Sequence, residues 1–294
     1  MRTAILLIAL VGLCAATGAR AEPKFVPVTP AARSFSIGTL ELTALHDAQI
    51  IVPNDGTTFA LGVGTDEVGK VLSAAGAPVD RITLSVNALL VRTGRRLILI
   101  DTGLGPRYHG QLLGSLGVAG VSPGEVTDVL ITHPHPDHIG GLLDAQGKPA
   151  FPNATIHMAG AAWSWMQQKG APAMARTIAS RVQTFEPGGR IAPGIASVSL
   201  PGHTPGHVGY ELTSGRSRLM YIGDIAHSSI VSLARPEWSI QFDGDHALAN
   251  ETRRKTLGAL ARSGEWVYSP HFPFPGVGHI AAVGKGFAWQ PGLP

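Results

Sequence analysis

The chain has 294 residues and carries 23 lysines and arginines against 20 aspartates and glutamates, a formal charge of +3. Arg2 and Arg20 lie within the first 21 residues, so the rest carries +1 with no basic run, which argues against a nucleic-acid partner. The one cysteine, Cys14, lies there too, so the remainder can form no disulfide, thiolate metal site or cysteine nucleophile.

Met1-Arg2 makes a short basic start, residues 4–16 are almost wholly apolar, and Ala19-Arg20-Ala21 supplies the small residues of an A-x-A cleavage site. That order predicts a secretory signal peptide over 1–21, with Glu22 as the first mature residue and a periplasmic or secreted location. The apolar run is shorter than the roughly 20 residues a spanning helix needs, so no stable membrane anchor is expected after cleavage. Residues 22–294 suffice for one large domain, and no linker divides them.

Residues 22–33 hold prolines and charges without periodicity and read as an extended arm. Residues 36–45 alternate as a strand does, 54–63 read as a loop, and 65–75 space their apolar residues as a helix. Two strand-like runs, 83–91 and 96–100, flank a hairpin turn at Thr93-Gly94. Ser122-Pro123-Gly124-Glu125 is a capping box opening a short helix. A buried strand at 129–131 is followed by strand 154–158 and helical stretches from 159 to about 184. Strands are expected at 195–200, 208–212 and 218–222, then a helix over 246–262 capped by Asp245, then a last strand at 266–269. Strands with helices between and after them, in two similar halves, suggest an α/β protein with two mixed sheets.

The chemistry concentrates in His133-Pro134-His135-Pro136-Asp137-His138, directly after a buried strand. Pro134 and Pro136 bias the preceding residues toward extended backbone, which points His133 and His135 to one side as a pair that can grip a metal ion. Asp137 and His138 can face a second ion, and this nitrogen and oxygen donor set suits zinc, iron or manganese. His203, Asp224 and His271 recur just after apolar runs, where open α/β sheets place their ligands. His203 and His207 are four apart, but Pro205 and Gly206 break any helix between them, so His207 is read as a hydrogen-bonding loop residue. Trp163, Trp165 and His227 are candidate substrate-pocket residues, while Asp243 and Asp245 could suggest a carboxylate pair that a helix cap at Asp245 explains adequately.

In these motifs the chain resembles the metallo-β-lactamase superfamily. Asp101-Thr102-Gly103 looks like its first motif, residues 133–138 match H-x-H-x-D-H, and His203, Asp224 and His271 match the third to fifth. The resemblance implies an αβ/βα four-layer sandwich of two mixed sheets flanked by helices. It implies one metal on His133, His135 and His203, a second on Asp137, His138 and His271, and Asp224 bridging them. Asp101 would orient ligands from behind. Three further stretches, Phe151-Pro152-Asn153-Ala154, residues 202–207 and residues 274–280, are similar to the secreted methyl parathion hydrolase-like group. β-Lactamases of the superfamily commonly carry cysteine where Asp224 stands here.

The resulting expectation is a secreted hydrolase with two divalent ions, zinc foremost, holding a bridging hydroxide ~3.5–4 Å-spaced ions can share, which attacks a small ester, lactone or phosphotriester. Asp137 and Asp224 would fix the ions and relay a proton. Two alternatives are a mononuclear iron oxidoreductase of the same fold, of persulfide dioxygenase type, and a non-catalytic metal-binding scaffold. A homodimer is left open.

Overall fold

The computed structural model describes residues 22–294, which form two mixed seven-stranded sheets. The first takes its strands in chain order: β1 (Lys24–Ile37), β2 (Leu40–Pro53), β3 (Arg81–Thr93), β4 (Arg96–Ile100), β5 (Asp128–Leu130), β6 (Thr155–Ala159) and β7 (Val182–Phe185). β1 to β4 pair antiparallel, and β4 to β7 parallel. The second holds β8 (Arg190–Ala192), β9 (Ile195–Ser199), β10 (Val208–Ser214), β11 (Ser217–Tyr221), β12 (Trp266–Tyr268), β13 (Val277–Val283) and β14 (Gly286–Pro291), with only β11 and β12 parallel. Helices α1 (Thr65–Ala74), α2 (Leu112–Val118), α3 (Pro136–Ile139), α4 (Gly160–Trp165), α5 (Pro172–Ile178), α6 (Val231–Ala234) and α7 (His246–Ser263) complete the chain. This is the expected sandwich of two mixed sheets flanked by helices.

One apolar core draws Leu45, Leu89 and Ile98 from the first sheet and Tyr210, Leu212 and Tyr268 from the second. The buried tyrosines also tie the sheets together, since Tyr210 donates to the Ile131 carbonyl at 2.8 Å and Tyr268 to that of Ala88 at 2.7 Å. A second cluster packs Val68 and Leu72 of α1 on β2 and β3, and a third packs Leu257 and Leu260 of α7 on the other sheet.

Several sequence expectations need correction. Residues 22–33 are not a free arm but most of β1, paired with β2. As a half-exposed edge strand, β1 shows no clean alternation, and its register slips between Pro27 and Ala31, as edge prolines permit. The strand expected at 36–45 is instead the end of β1, a tight turn and the start of β2. The helical stretch stops short of 184, because α4 runs into a wide turn closed from Ala171 N to Met166 O and residues 182–185 form β7. The capping box at Ser122 forms, but it closes a single 3₁₀ turn rather than a longer helix. Strand 266–269 is not the last, since the β13–β14 hairpin follows it. The signal segment 1–21 lies outside the described residues. Among those described, no helix is long and apolar enough to cross a membrane.

A bulge in β2 supports the site from below. The pairing of β2 with β3 slips between His46 and Ala48, and such an extra residue re-aims its side chain. Asp47 is turned under the loop after β4, where its carboxylate accepts from the amides of Leu104 at 2.7 Å and Leu112 at 2.8 Å. A Cβ on Gly103 would stand 2.4 Å from that carboxylate, so only glycine fits. Burial pushes Asp47 up to about 6 despite those amides, and the Asp137 charge adds to the rise.

A carboxyl whose folded pKa exceeds its unfolded 3.8 stabilises the fold fully below pH 3.8 and loses that contribution as pH rises through about 6. The Tm advantage of the wild type over Asp47→Asn should therefore shrink by several degrees between pH 4 and 7, since ~1 kcal/mol moves Tm by roughly 2–4 °C in a domain of this size. Thermal melts across that range test this, and a pH-independent difference would contradict it.

Candidate metal centre

All seven motif residues converge at one edge of the two sheets. Parallel strands deliver Asp101 after β4, His133 after β5, Asp224 after β11 and His271 after β12, and His203 follows β9. Asp101 adopts φ 59°, a left-handed conformation that costs a non-glycine residue energy. Its amide is held by the Leu130 carbonyl, and its carboxylate accepts from Thr132, Tyr221 and His138. Asp137 and His138 lie on α3, one short helical turn begun by Pro136, rather than in a loop.

Three overlapping donor groups result among the described residues, the third being Asp224, His227 and His271, and the first two share no histidine. His133 Nε2, His135 Nδ1 and His203 Nε2 stand 2.9–3.1 Å from one another. Nitrogens ~2.0–2.1 Å from one tetrahedral ion would be ~3.3 Å apart. Asp137, His138 and His271 form the second set. Asp224 stands between them: Oδ2 lies 3.4 Å from His203 Nε2 and 3.6 Å from His133 Nε2, and Oδ1 lies 3.2 Å from both His138 Nε2 and His271 Nε2.

The chemistry of these atoms fits a divalent cation. A neutral imidazole donates from one nitrogen and accepts at the other. His203 Nδ1 faces Asp243 Oδ1 at 2.8 Å, His138 Nδ1 faces Asp101 Oδ2 at 2.9 Å, and His271 Nδ1 faces the Ser85 carbonyl at 2.9 Å. Each partner is an acceptor, so each Nδ1 carries a hydrogen and each Nε2, when its ring is neutral, presents a lone pair inward. Those lone pairs face one another and the Asp224 carboxylate, and His138 Nε2 and Asp224 Oδ1 have no hydrogen-bond partner. Acceptors facing acceptors in a buried site require positive charge between them.

The electrostatics divide by set: the three-histidine set is held neutral, while the carboxylates draw positive charge onto His138 and His271, the charge a bound cation would supply instead. Burial holds His133 well below its ordinary value and lowers His203 to about 3, so both stay neutral. Burial also acts against a charged His138, yet Asp224, Asp101 and Asp137 together raise it well above its usual value. His271 is raised likewise against burial by Asp224 and Asp137. Asp224 is held well below the carboxylate range despite burial, chiefly by His138 and His271.

Two readings of single residues are resolved by position. His207 does not join either donor set: its Nδ1 donates to the Leu200 carbonyl, and its Nε2 accepts from the Asp224 amide at 3.0 Å. His227 is buried beside the site, stacked on His271 with ring centroids 5.4 Å apart. Its Nε2 lies 3.0 Å from Asp224 Oδ2 but makes no hydrogen bond, and neither ring nitrogen has a partner.

A cleft of about 300 Å³ opens over His135, Asp137, Asp224, His227 and His271, walled by Phe25, Ile50, Val52, Leu84, Leu104 and Phe242. The tryptophans do not line it. Trp163 packs against the main core, and Trp165 borders the site only through His135, 6.0 Å between ring centres. Helical spacing explains the difference, because residues two apart point to different sides of α4. The aromatic walls come instead from Phe25 and Phe242, which no local motif marks. The sequence reading set Asp243 aside as half of a carboxylate pair and missed Thr132, since their roles depend on contacts 40 residues away and on Asp101.

The chain is similar to the solved dizinc quorum-quenching lactonase AidC, in complex with a product N-hexanoyl-L-homoserine, at 30% identity and TM-score 0.84 over 90% of this chain and 98% of that one. It is similar to the hydrolase AbOPH in the beta lactamase superfamily at 31% identity and TM-score 0.80, over 89% and 97%. Among curated relatives, an atrochrysone carboxyl ACP thioesterase of Passalora fulva is 28% identical over 53% of this chain. The chain spans 42% of that relative's length and 20% of the human Metallo-beta-lactamase domain-containing protein 1. The family model of the metallo-beta-lactamase superfamily matches residues 81–271, from β3 through the last site histidine, and the chain belongs to that superfamily.

Proposed function

We propose that this chain is an exported hydrolase that holds two divalent ions, zinc foremost, and opens neutral lactones or esters carrying an apolar acyl group. The observation that carries the reading is Asp224, whose two oxygens face two separate donor sets at the floor of an apolar cleft. His133, His135 and His203 would hold one ion, Asp137, His138 and His271 the other, with Asp224 shared. When bound, such ions supply Lewis acidity and lower the pKa of water toward roughly 7.

The chain's own groups do the rest. Asp101 orients His138, and Asp243 orients His203. Asp137, with its side chain 20% exposed, is reachable from the cleft and can take a proton from the attacking water. His227, whose Nε2 lies 3.0 Å from Asp224 and whose Nδ1 has no hydrogen-bond partner, borders the cleft beside the reacting centre. Phe25, Ile50, Val52 and Phe242 take up an apolar tail and exclude water.

Among the described residues, no lysine or arginine lines the cleft, so a large anion has no clamp. The likeness to AidC supports a lactone, and the resemblance of residues 202–207 and 274–280 to the methyl parathion hydrolase-like group keeps a phosphotriester among the candidates. Residues 1–21 are read as the export signal, which the amino-terminal mass of exported protein tests. A substrate panel at equal zinc load tests the reaction: N-acyl lactones, aryl esters and phosphotriesters should be hydrolysed faster than glutathione thioesters and β-lactams. Fastest turnover of either of the last two would overturn the substrate assignment. One iron per chain in place of two divalent ions would favour the oxidoreductase alternative.

A further inference from the structure

Arg253 lies in the middle of α7 on its core-facing stripe, with Ala249, Leu257 and Leu260, and is 1% exposed. A leucine or methionine would complete that stripe, and replacing a buried ion pair by apolar residues is often neutral or stabilising. Every nitrogen of the guanidinium instead donates to a buried or partly buried acceptor. Nη2 donates to Asp243 Oδ2 at 2.9 Å, Nη1 to Asn250 Oδ1 at 2.7 Å and to the Pro236 and Trp238 carbonyls, and Nε to the Ile225 carbonyl. The other oxygen of Asp243 accepts from His203 Nδ1 at 2.8 Å. Arg253, Asp243 and His203 thus form an unbroken buried chain that ends at the three-histidine donor set.

We propose that Arg253 is a positioning residue for metal binding: by holding Asp243 in place it orients His203 and so sets the affinity of the three-histidine site. A carboxylate that accepts from a ligand histidine needs its own orientation fixed, because its two oxygens can otherwise rotate between partners. Arginine suits this task better than lysine, since its rigid fork reaches a carboxylate and the backbone carbonyls of the adjacent loops at once. The inference rests on reading His203 as a metal ligand.

The test is zinc release from the full chain by chelator titration, with melting temperature followed in parallel. The wild type should release two ions. Arg253→Met and Asp243→Asn should each weaken one of the two by about 10–100-fold, the range for loss of a partner behind a metal ligand, and leave the other less affected. The double variant should release its weak ion no more readily than Asp243→Asn alone, because both changes break one path. A merely structural arginine would give additive losses, or would lower the melting temperature without touching zinc affinity, and either result overturns the proposal. Should Arg253→Met not fold, Arg253→Lys takes its place in the same cycle, with the same expectation of non-additivity. A wild type that binds no zinc defeats the functional reading together with this inference, whereas two tightly held ions in every variant defeat this inference alone.

Discussion

Asp224→Ala should lower kcat by 10²-fold or more at saturating zinc, the loss typical when a group acting on transition-state charge is removed. Asp224 is 2% exposed and, among the described residues, is the one carboxylate that reaches both donor sets, 3.4 Å from His203 and 3.2 Å from His138. Alanine removes the shared negative charge and would leave two bound cations facing each other with no carboxylate between them. The loop itself should persist, because the amide of residue 224 still donates to His207 Nε2. Steady-state kinetics together with zinc content decide the matter. Wild-type turnover in the alanine variant would show that the chemistry does not depend on the junction between the two sets.

His138→Ala should release one of two zinc ions and abolish most activity while the fold survives. The survival follows from Asp101, which loses one donor of several: the Thr132 amide at 2.9 Å, the Thr132 hydroxyl and the Tyr221 hydroxyl at 3.0 Å still satisfy it. The lost ion should come from the set that keeps only Asp137 and His271 beside the shared Asp224, short of the four ligands of a closed site. Metal analysis, circular dichroism and kinetics on one preparation suffice. Full activity with a single ion bound would mean that the second set plays no part in catalysis.

The legible parts of this molecule are those whose chemistry is local. His133 to His138 fall within six residues, so their proximity is covalent, and the prolines between them restrict the backbone directly. The central strands were readable for a similar reason: β3 and β5 are buried over most of their length and show as apolar runs. Edge strands gave no such signal. β1, β7 and β8 expose much of their length, so solvent leaves their composition free and neither alternation nor an apolar run marks them. Arg253 offered a clue that was available but unused, a charged residue on the apolar stripe of an otherwise amphipathic helix.

Sequence by itself determined the superfamily, the order of the site motifs and the identity of the groups that meet there, because each motif sits where an apolar strand ends and the chain must turn. Tertiary structure decided everything that depends on residues distant along the chain. It turned Asp47 under the loop after β4 by a bulge, set Asp243 behind His203 across 40 residues, and walled the cleft with Phe25 and Phe242 rather than Trp163. It also set the charge state of the site, lowering His203 to about 3 and raising His138. A ligand's type is a property of its side chain, but its orientation, its proton and its neighbours follow from burial and from partners that only the packing of two sheets brings within 3 Å.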